Sequence, residues 1–278
     1  MILHQFGDGL TTMAAALIEV EGVSKSFLTI GGETVEALRD VSFHVEAGEF
    51  LAIVGVSGCG KSTLVRIIGG LLPASAGCVR FQGEAATEPR EDVGIVFQES
   101  VLLPWRTVLG NTMLPVEVRR QSKPLGAARA RSLLKMVGLS GFEDKYPFEL
   151  SGGMQQRNAI AAALSTDPAI LLMDEPFGSL DAITREQMNV DFHRIWKESG
   201  KTMVLITHSI PEAVFLGTRV LIMTPRPGRI RRVIDAPFGR ERSLDLMSTA
   251  EFASLTGQVR AALGLESWPL EALSNSAG

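Results

Sequence analysis

Phe50-Leu51-Ala52-Ile53-Val54-Gly55-Val56-Ser57-Gly58-Cys59-Gly60-Lys61-Ser62-Thr63-Leu64 is the stretch that decides the fold. Five apolar residues of strand length lead without interruption into a glycine-rich loop. The chain leaves that loop through Lys61, Ser62 and Thr63 into a helical pattern over 64–68. The spacing is G-x-x-x-x-G-K-[ST], in the strand-to-helix setting that gives this pattern its meaning. Gly55, Gly58 and Gly60 let the backbone curl so that its N–H groups point inward, and the following helix start adds partial positive charge. Such a loop cradles phosphates. Positions 55–63, with Val56, Ser57 and Cys59 between the glycines, are the expected contacts for ATP. Lys61 reaches the β- and γ-phosphates, and Ser62 is an expected Mg2+ ligand.

Outward from this loop, strand-like segments recur at 17–20, 93–97, 170–173, 203–207 and 220–223, several with helical stretches between them. That alternation predicts an α/β fold with a largely parallel sheet. Between 107 and 163 the strand signal vanishes and apolar residues space helically, which predicts an all-helical insertion. A turn cluster at 225–228 precedes a short strand at 230–234, and 251–263 reads as an amphipathic helix. With 278 residues and 45% apolar content, one large core with a subdomain is expected. The net charge of −4 offers no general attraction to nucleic acid. Two cysteines make neither a disulfide framework nor a four-cysteine metal site. Apolar runs are too short to span a bilayer. Residues 1–17 carry Asp8 but no Lys or Arg, so they lack the charge pattern of a secretory signal, and Met13 offers an alternative start.

A phosphate loop needs a carboxylate to hold Mg2+ and a base to orient water. Ile170-Leu171-Leu172-Met173-Asp174-Glu175 supplies both. The apolar run reads as a buried central strand, and two carboxylates at its end are costly without a cation nearby. Asp174 is therefore the expected magnesium residue and Glu175 the general base. Cys59, near a helix start and Lys61, is expected to carry a reactive thiol facing the nucleotide.

Leu150-Ser151-Gly152-Gly153-Met154-Gln155-Gln156-Arg157 resembles the signature sequence of ABC ATPases, and its order relative to the other motifs matches. The resemblance covers about 17–237. It implies an α/β P-loop NTPase core with a mostly parallel sheet, an antiparallel N-terminal β part and an all-helical subdomain near 99–165. The ATPase domain would run over 17–246, followed by a C-terminal helical extension at 247–278 and preceded by disorder at 1–16. It also implies that two protomers sandwich two ATP molecules, so that Ser151, Gly152 and Gly153 meet the γ-phosphate held by the partner's loop. By the same resemblance Gln98 senses Mg2+ and the γ-phosphate, Asp181 in Ser179-Leu180-Asp181 couples the two sites, and His208 contacts the γ-phosphate. Phe27 is implied to stack on adenine.

Leu102-Leu103-Pro104-Trp105, Met173-Asp174-Glu175-Pro176-Phe177-Gly178, Glu212-Ala213-Val214-Phe215-Leu216 and Pro225-Arg226-Pro227-Gly228-Arg229 together are similar to the nitrate, sulfonate and taurine importer branch. That branch implies transmembrane permease subunits, an extracytoplasmic solute-binding protein, and a place at the cytoplasmic face of the membrane. Three positions depart from the common pattern: Val56 stands for proline, Ser209 for aspartate and Ser179 for alanine. The nearest alternatives are an ABC exporter ATPase and a non-transport ABC ATPase. The stretch between the loop and the signature is too short for the coiled coils of repair ATPases, and a single phosphate loop argues against ribosome-acting relatives. Val101 to Trp105 is expected to dock the permease. No residue names the solute.

Overall fold

The computed structural model describes residues 16–178 and 180–264. The expectation for 1–16 lies outside them except for Ala16, which opens a strand. Ser179 and 265–278 also lie outside. Strands β1 (Ala16–Leu28) and β2 (Thr34–Glu46) form an antiparallel hairpin. β3 (Phe50–Val54) enters the phosphate loop and α1 (Lys61–Ile68) leaves it. β4 (Ala76–Phe81) and β5 (Glu84–Ala85) join the hairpin in a sheet ordered β2-β1-β4-β5. After β6 (Val93–Val96) come α2 (Val108–Val118), α3 (Lys123–Met136) and α4 (Gly152–Leu164), the expected helical insertion. The chain returns through β7 (Ile170–Asp174), α5 (Ala182–Ser199), β8 (Thr202–Thr207), α6 (Ile210–Leu216), β9 (Arg219–Met223), β10 (Ile230–Asp235) and α7 (Ala250–Leu263).

The second sheet has the order β10-β9-β3-β8-β7-β6, parallel throughout except for β10 at one edge. Every residue of β3, β7 and β8 is buried, because helices cover one face and the antiparallel sheet with α1 covers the other. The pleat divides the side chains between two cores. Phe50, Ala52 and Val54 face α5, α6 and α7, together with Leu171, Met173, Met203 and Leu205. Leu51 and Ile53 face α1 and the antiparallel sheet, together with Ile170, Leu172, Val204 and Ile206.

β2 and β4 escape the sequence reading, and β1 is three times the expected length. All belong to a sheet that wets one face, so charged residues punctuate them. Bulges then break the period: the register slips between Val20 and Val23 in β1, and the buried residues of β2 fall at Ala37, Leu38, Val41 and Val45. The helix assigned to a C-terminal extension shares the main core, since Phe252, Leu255, Val259 and Ala262 are buried in it.

Inside the helical unit, fully buried Asn158 of α4 donates through Nδ2 to the Thr112 hydroxyl at 2.7 Å and the Val108 carbonyl at 3.1 Å, tying α4 to α2. Asn158→Ala leaves these acceptors short of a donor. We expect a loss of about 2 kcal/mol, read as a lower urea midpoint with an unchanged denaturant slope.

Candidate functional site

β3, β7 and β8 run parallel and in register, so their C-terminal ends deliver the loop 55–60, the pair Asp174-Glu175 and His208 to one edge of the sheet. β6 brings Gln98 to the same edge. Ligands of open α/β sheets bind at this end. A cavity of about 410 Å3 opens there, lined by Phe27, Val35, Ala37, Ser57, Gly58, Gly60, Lys61, Ser62, Thr63, Gln98, Glu175 and Arg226.

The phosphate loop is built around backbone constraints. Gly60 has φ of +102°, and a Cβ there would lie 2.7 Å from Leu38 Cδ2 and 2.8 Å from the Ala37 carbonyl, so only glycine fits. It is the N-cap of α1 and carries no side chain to satisfy the helix's first N–H groups, which leaves them for an anion. Buried Lys61 folds back, donating from Nζ to the carbonyls of Gly55 at 2.8 Å and Val56 at 3.1 Å.

Ser62 donates its hydroxyl to Asp174 Oδ1 at 2.9 Å, joining α1 to the end of β7. Burial pushes the Asp174 carboxyl above its usual range, partly offset by that hydrogen bond, and Glu175 next to it pushes the same way as burial. A hard cation would relieve this cost. The donors present, one hydroxyl and one carboxylate, suit an octahedral ion that keeps waters and phosphate oxygens as its other ligands. Among the described residues no cluster of three or more His, Cys, Asp or Glu could form an all-protein metal cage.

Glu175 sits at φ of +47°, held by its N–H to the Ile206 carbonyl at 2.9 Å. Its Oε2 lies 3.0 Å from His208 Nδ1 and 3.5 Å from Gln98 Nε2. A carboxylate only accepts, so Nδ1 carries the imidazole proton and directs Nε2 elsewhere. Gln98, Glu175 and His208 are thus gathered beside Lys61 and Ser62. Phe27 lies at the cavity's outer edge, about two-fifths exposed, with Lys25 Nζ 5.3 Å from its ring centroid.

Ser151 and Asp181 fill different places. Ser151 caps α4, accepting from the Met154 N–H at 3.3 Å, and Asp181 caps α5, accepting from the Thr184 N–H at 2.9 Å. Ser151, Gly152 and Gly153 do not line the cavity of their own chain. Ser209 caps α6 through the Glu212 N–H at 3.4 Å, so serine supplies an oxygen where aspartate is common.

The expectation for Cys59 is corrected. Its side chain is 1% exposed and packs in the core under the loop, because Gly55 beneath it lacks a Cβ; a Cβ there would lie 2.7 Å from Sγ. Burial pushes the thiol up, and the Lys61 charge does not reverse that. Cys59 has only its backbone to offer a nucleotide.

Three residues that sequence placed in motifs were given no role there. Gln156 donates to the Phe97 carbonyl at 2.9 Å and Ser100 to Gln155 Oε1 at 3.2 Å, so α4 is fastened to the loop that carries Gln98. The run Met154-Gln155-Gln156 held that signal, but helix-borne glutamines look like solvated surface. Arg226 reaches the cavity across a distance of sequence that no local pattern reveals. Glu212 is buried behind Glu175 and His208, in a narrow cleft that also includes Thr207 and Arg185, with Oε1 unpartnered.

Burial pushes the Glu212 carboxyl up to about 7; Thr207 and Arg185 oppose the shift and Glu175 adds to it. A raised carboxylate pKa means that the folded state holds the proton longer than the unfolded chain. Its stabilising contribution is therefore complete in acid and is lost as pH rises from 4.5 through 7. Glu212→Gln is expected to remove that loss. Relative to wild type it gains up to about 3 kcal/mol between pH 5 and pH 8, read by urea melts across that range.

The pattern of the ABC transporter family matches residues 38–178. The chain is 45% identical over 252 residues to the taurine import ATP-binding protein TauB of Rhizobium johnstonii, covering 89% of this chain and 96% of that protein. It is 44% identical over 235 residues to an uncharacterized ABC transporter ATP-binding protein of Methanocaldococcus jannaschii, covering 84% and 88%. Among solved structures, an ATP-binding cassette in a dimeric post-hydrolysis state with ADP and Pi superposes with a TM-score of 0.72 at 34% identity, over 80% of this chain and all of that one.

Proposed function

Since the chain belongs to the ABC transporter family and is an ATP hydrolase coupled to transport, we propose that it powers an importer of taurine or a related small sulfonate or nitrate-like solute. The assembly is a pair of ATPase subunits at the cytoplasmic face of the membrane, working on separate permease subunits supplied by an extracytoplasmic solute-binding protein. The solute assignment rests on the likeness to taurine import proteins of several bacteria. The catalytic assignment rests on one observation: Lys61, Ser62, Gln98 and Glu175 line a single cavity, with His208 on Glu175.

Loop N–H groups and the start of α1 take up the phosphates, for which Lys61 leaves the Gly55 and Val56 carbonyls. Ser62 and Asp174, with Gln98, would hold Mg2+, which would neutralise charge on the phosphate oxygens. Glu175 accepts a proton from the attacking water through its carboxylate, and His208 fixes Oε2 through Nδ1–H so that the other oxygen is free to turn to the water. Phe27 at the cavity edge receives the base. Ser151, Gly152 and Gly153 stand apart from their own chain's cavity, and α4 presents an exposed helix start. A second protomer would bring them onto the first one's γ-phosphate, with Asp181 at the junction. The dimeric cassettes among the solved relatives support this pairing.

No helix of the described residues is long and apolar enough to cross a membrane. The proposed link to the permease is a docking surface. Val101 and Trp105 are each 72% exposed in the loop after Gln98. Val101 also lines a groove of about 280 Å3 along edge strand β6, with Val96, Pro115, Ala159 and Ala163 among others. A helix of the permease lying there would feel the state of Gln98 through the bonds from Gln156 and Ser100.

Glu175→Gln retains shape and an acceptor for His208 but is no base. Phosphate release should fall about a hundredfold or more while ATP affinity is retained. Turnover within tenfold of wild type would remove Glu175 as the principal base. For docking, the expected result of Trp105→Ala is an isolated subunit that melts and hydrolyses ATP like wild type. Copurification with the permease, or uptake per ATP hydrolysed, should drop several-fold. A loss of about 3 kcal/mol or more in the subunit's own stability would instead place Trp105 in packing.

A further inference from the structure

The cavity holds one cation that the phosphate loop does not supply. Arg226 lies on the loop between β9 and β10 and lines the same cavity as Lys61. Its Nε donates to the Gly58 carbonyl at 3.3 Å, and Nη2 lies 3.7 Å from where a Gly58 Cβ would be. Among the described residues no carboxylate pairs with it, whereas Arg39, Arg80, Arg90, Arg106 and Arg219 each have one. A guanidinium free of a carboxylate at a phosphate-binding mouth retains its donors for an anion.

The loop that carries it is fixed in place. Gly228 donates to the Ala37 carbonyl at 2.9 Å and accepts from the Arg39 N–H at 3.0 Å, adding a bridge to β2. Thr224 closes the loop on itself, with its hydroxyl donating to the Pro227 carbonyl at 3.2 Å and accepting from the Arg229 N–H at 3.0 Å. Gly228 also rests directly on the phosphate loop, where any Cβ would overlap the Cys59 carbonyl. Loop 224–229 and loop 55–60 are therefore packed backbone to backbone, which fixes the main chain that carries Arg226 next to Gly58.

We propose that Arg226 is a nucleotide-binding residue that places a second positive charge, beside Lys61, on the polyphosphate chain. The inference rests on the reading of this cavity as the ATP site. Of the residues lining it, Lys61 and Arg226 carry positive charge and Glu175 carries negative charge, while ATP brings several negative charges of its own. Reaching in from the last parallel strand, Arg226 meets the nucleotide on the side where Gly58 closes the loop.

The test is equilibrium binding of ATP, ADP and AMP to the full chain and to Arg226→Gln and Arg226→Lys, by calorimetry at two salt concentrations, with thermal melting of each nucleotide-free protein. Wild type must first bind ATP; if it does not, the reading of the site itself fails, and this inference with it. Given wild-type binding, Arg226→Gln should weaken ATP and ADP about tenfold, weaken AMP clearly less, and flatten the salt dependence. Arg226→Lys should recover much of the loss, and melting should be unchanged. Equal affinities in wild type and Arg226→Gln would overturn the proposal. So would a loss of equal size for all three nucleotides, or one matched by a lower melting temperature, because a brace for Gly58 would act without regard to phosphate number.

Discussion

Val54 pairs with Thr207, Asp174 with Ile206 and Val96 with Met173, in strands that all run the same way. The phosphate loop, Gln98, Asp174, Glu175 and His208 all hang on that parallel register. Chain direction is shared, so all strand ends lie at one edge, and the residue that follows each strand enters the same space. A slip of one residue in β7 would turn Asp174 to the opposite face and break its bond with Ser62. The register is secured by two apolar cores on opposite faces of the sheet, since alternate residues of β3, β7 and β8 must enter different cores.

Against that apolar frame, the polar groups at the edge are in debt to their ligands. Asp174 and Glu212 are both pushed toward the neutral form by burial, and Lys61 spends its donors on two carbonyls of its own loop. For Asp174 the conflict is one that a bound cation would relieve. The arrangement differs from one built for stability alone, where such positions would be apolar. Cys59 illustrates the other choice: it is in the same loop, yet its thiol joins the core and leaves the conflict to its neighbours.

The helical unit is joined to this edge by few polar contacts. Gln156 and Ser100 fasten α4 to the loop after β6, and Asn158 fastens α4 to α2. These bonds link the loop that carries Gln98 to the start of α4 and to the groove beside β6. Both of these are surfaces that a single chain leaves uncovered. The same connection gives a physical route by which the phosphate state would reach a partner.

Much of the site was legible without coordinates, because it is written in short motifs whose meaning is local. Positions 55–63 and Asp174-Glu175 needed only a strand, a turn and a helix start to be read. Gln98 and His208 needed the order of motifs, and the structure places both on Glu175. What the sequence could not determine depends on contacts across long separations. β2 and β4 were hidden because bulges and a wet face erase the alternation. The inward turn of Cys59 follows from a glycine beneath it, and the burial of Glu212 from helices and strands that close behind His208. Arg226 meets Gly58 only because β9 pairs with β3 and sets the loop after it against the phosphate loop. Sequence determined which chemistry the chain carries, since a phosphate cradle is a property of consecutive residues. Tertiary structure decided which charges share the cradle, since burial and proximity belong to the packed chain.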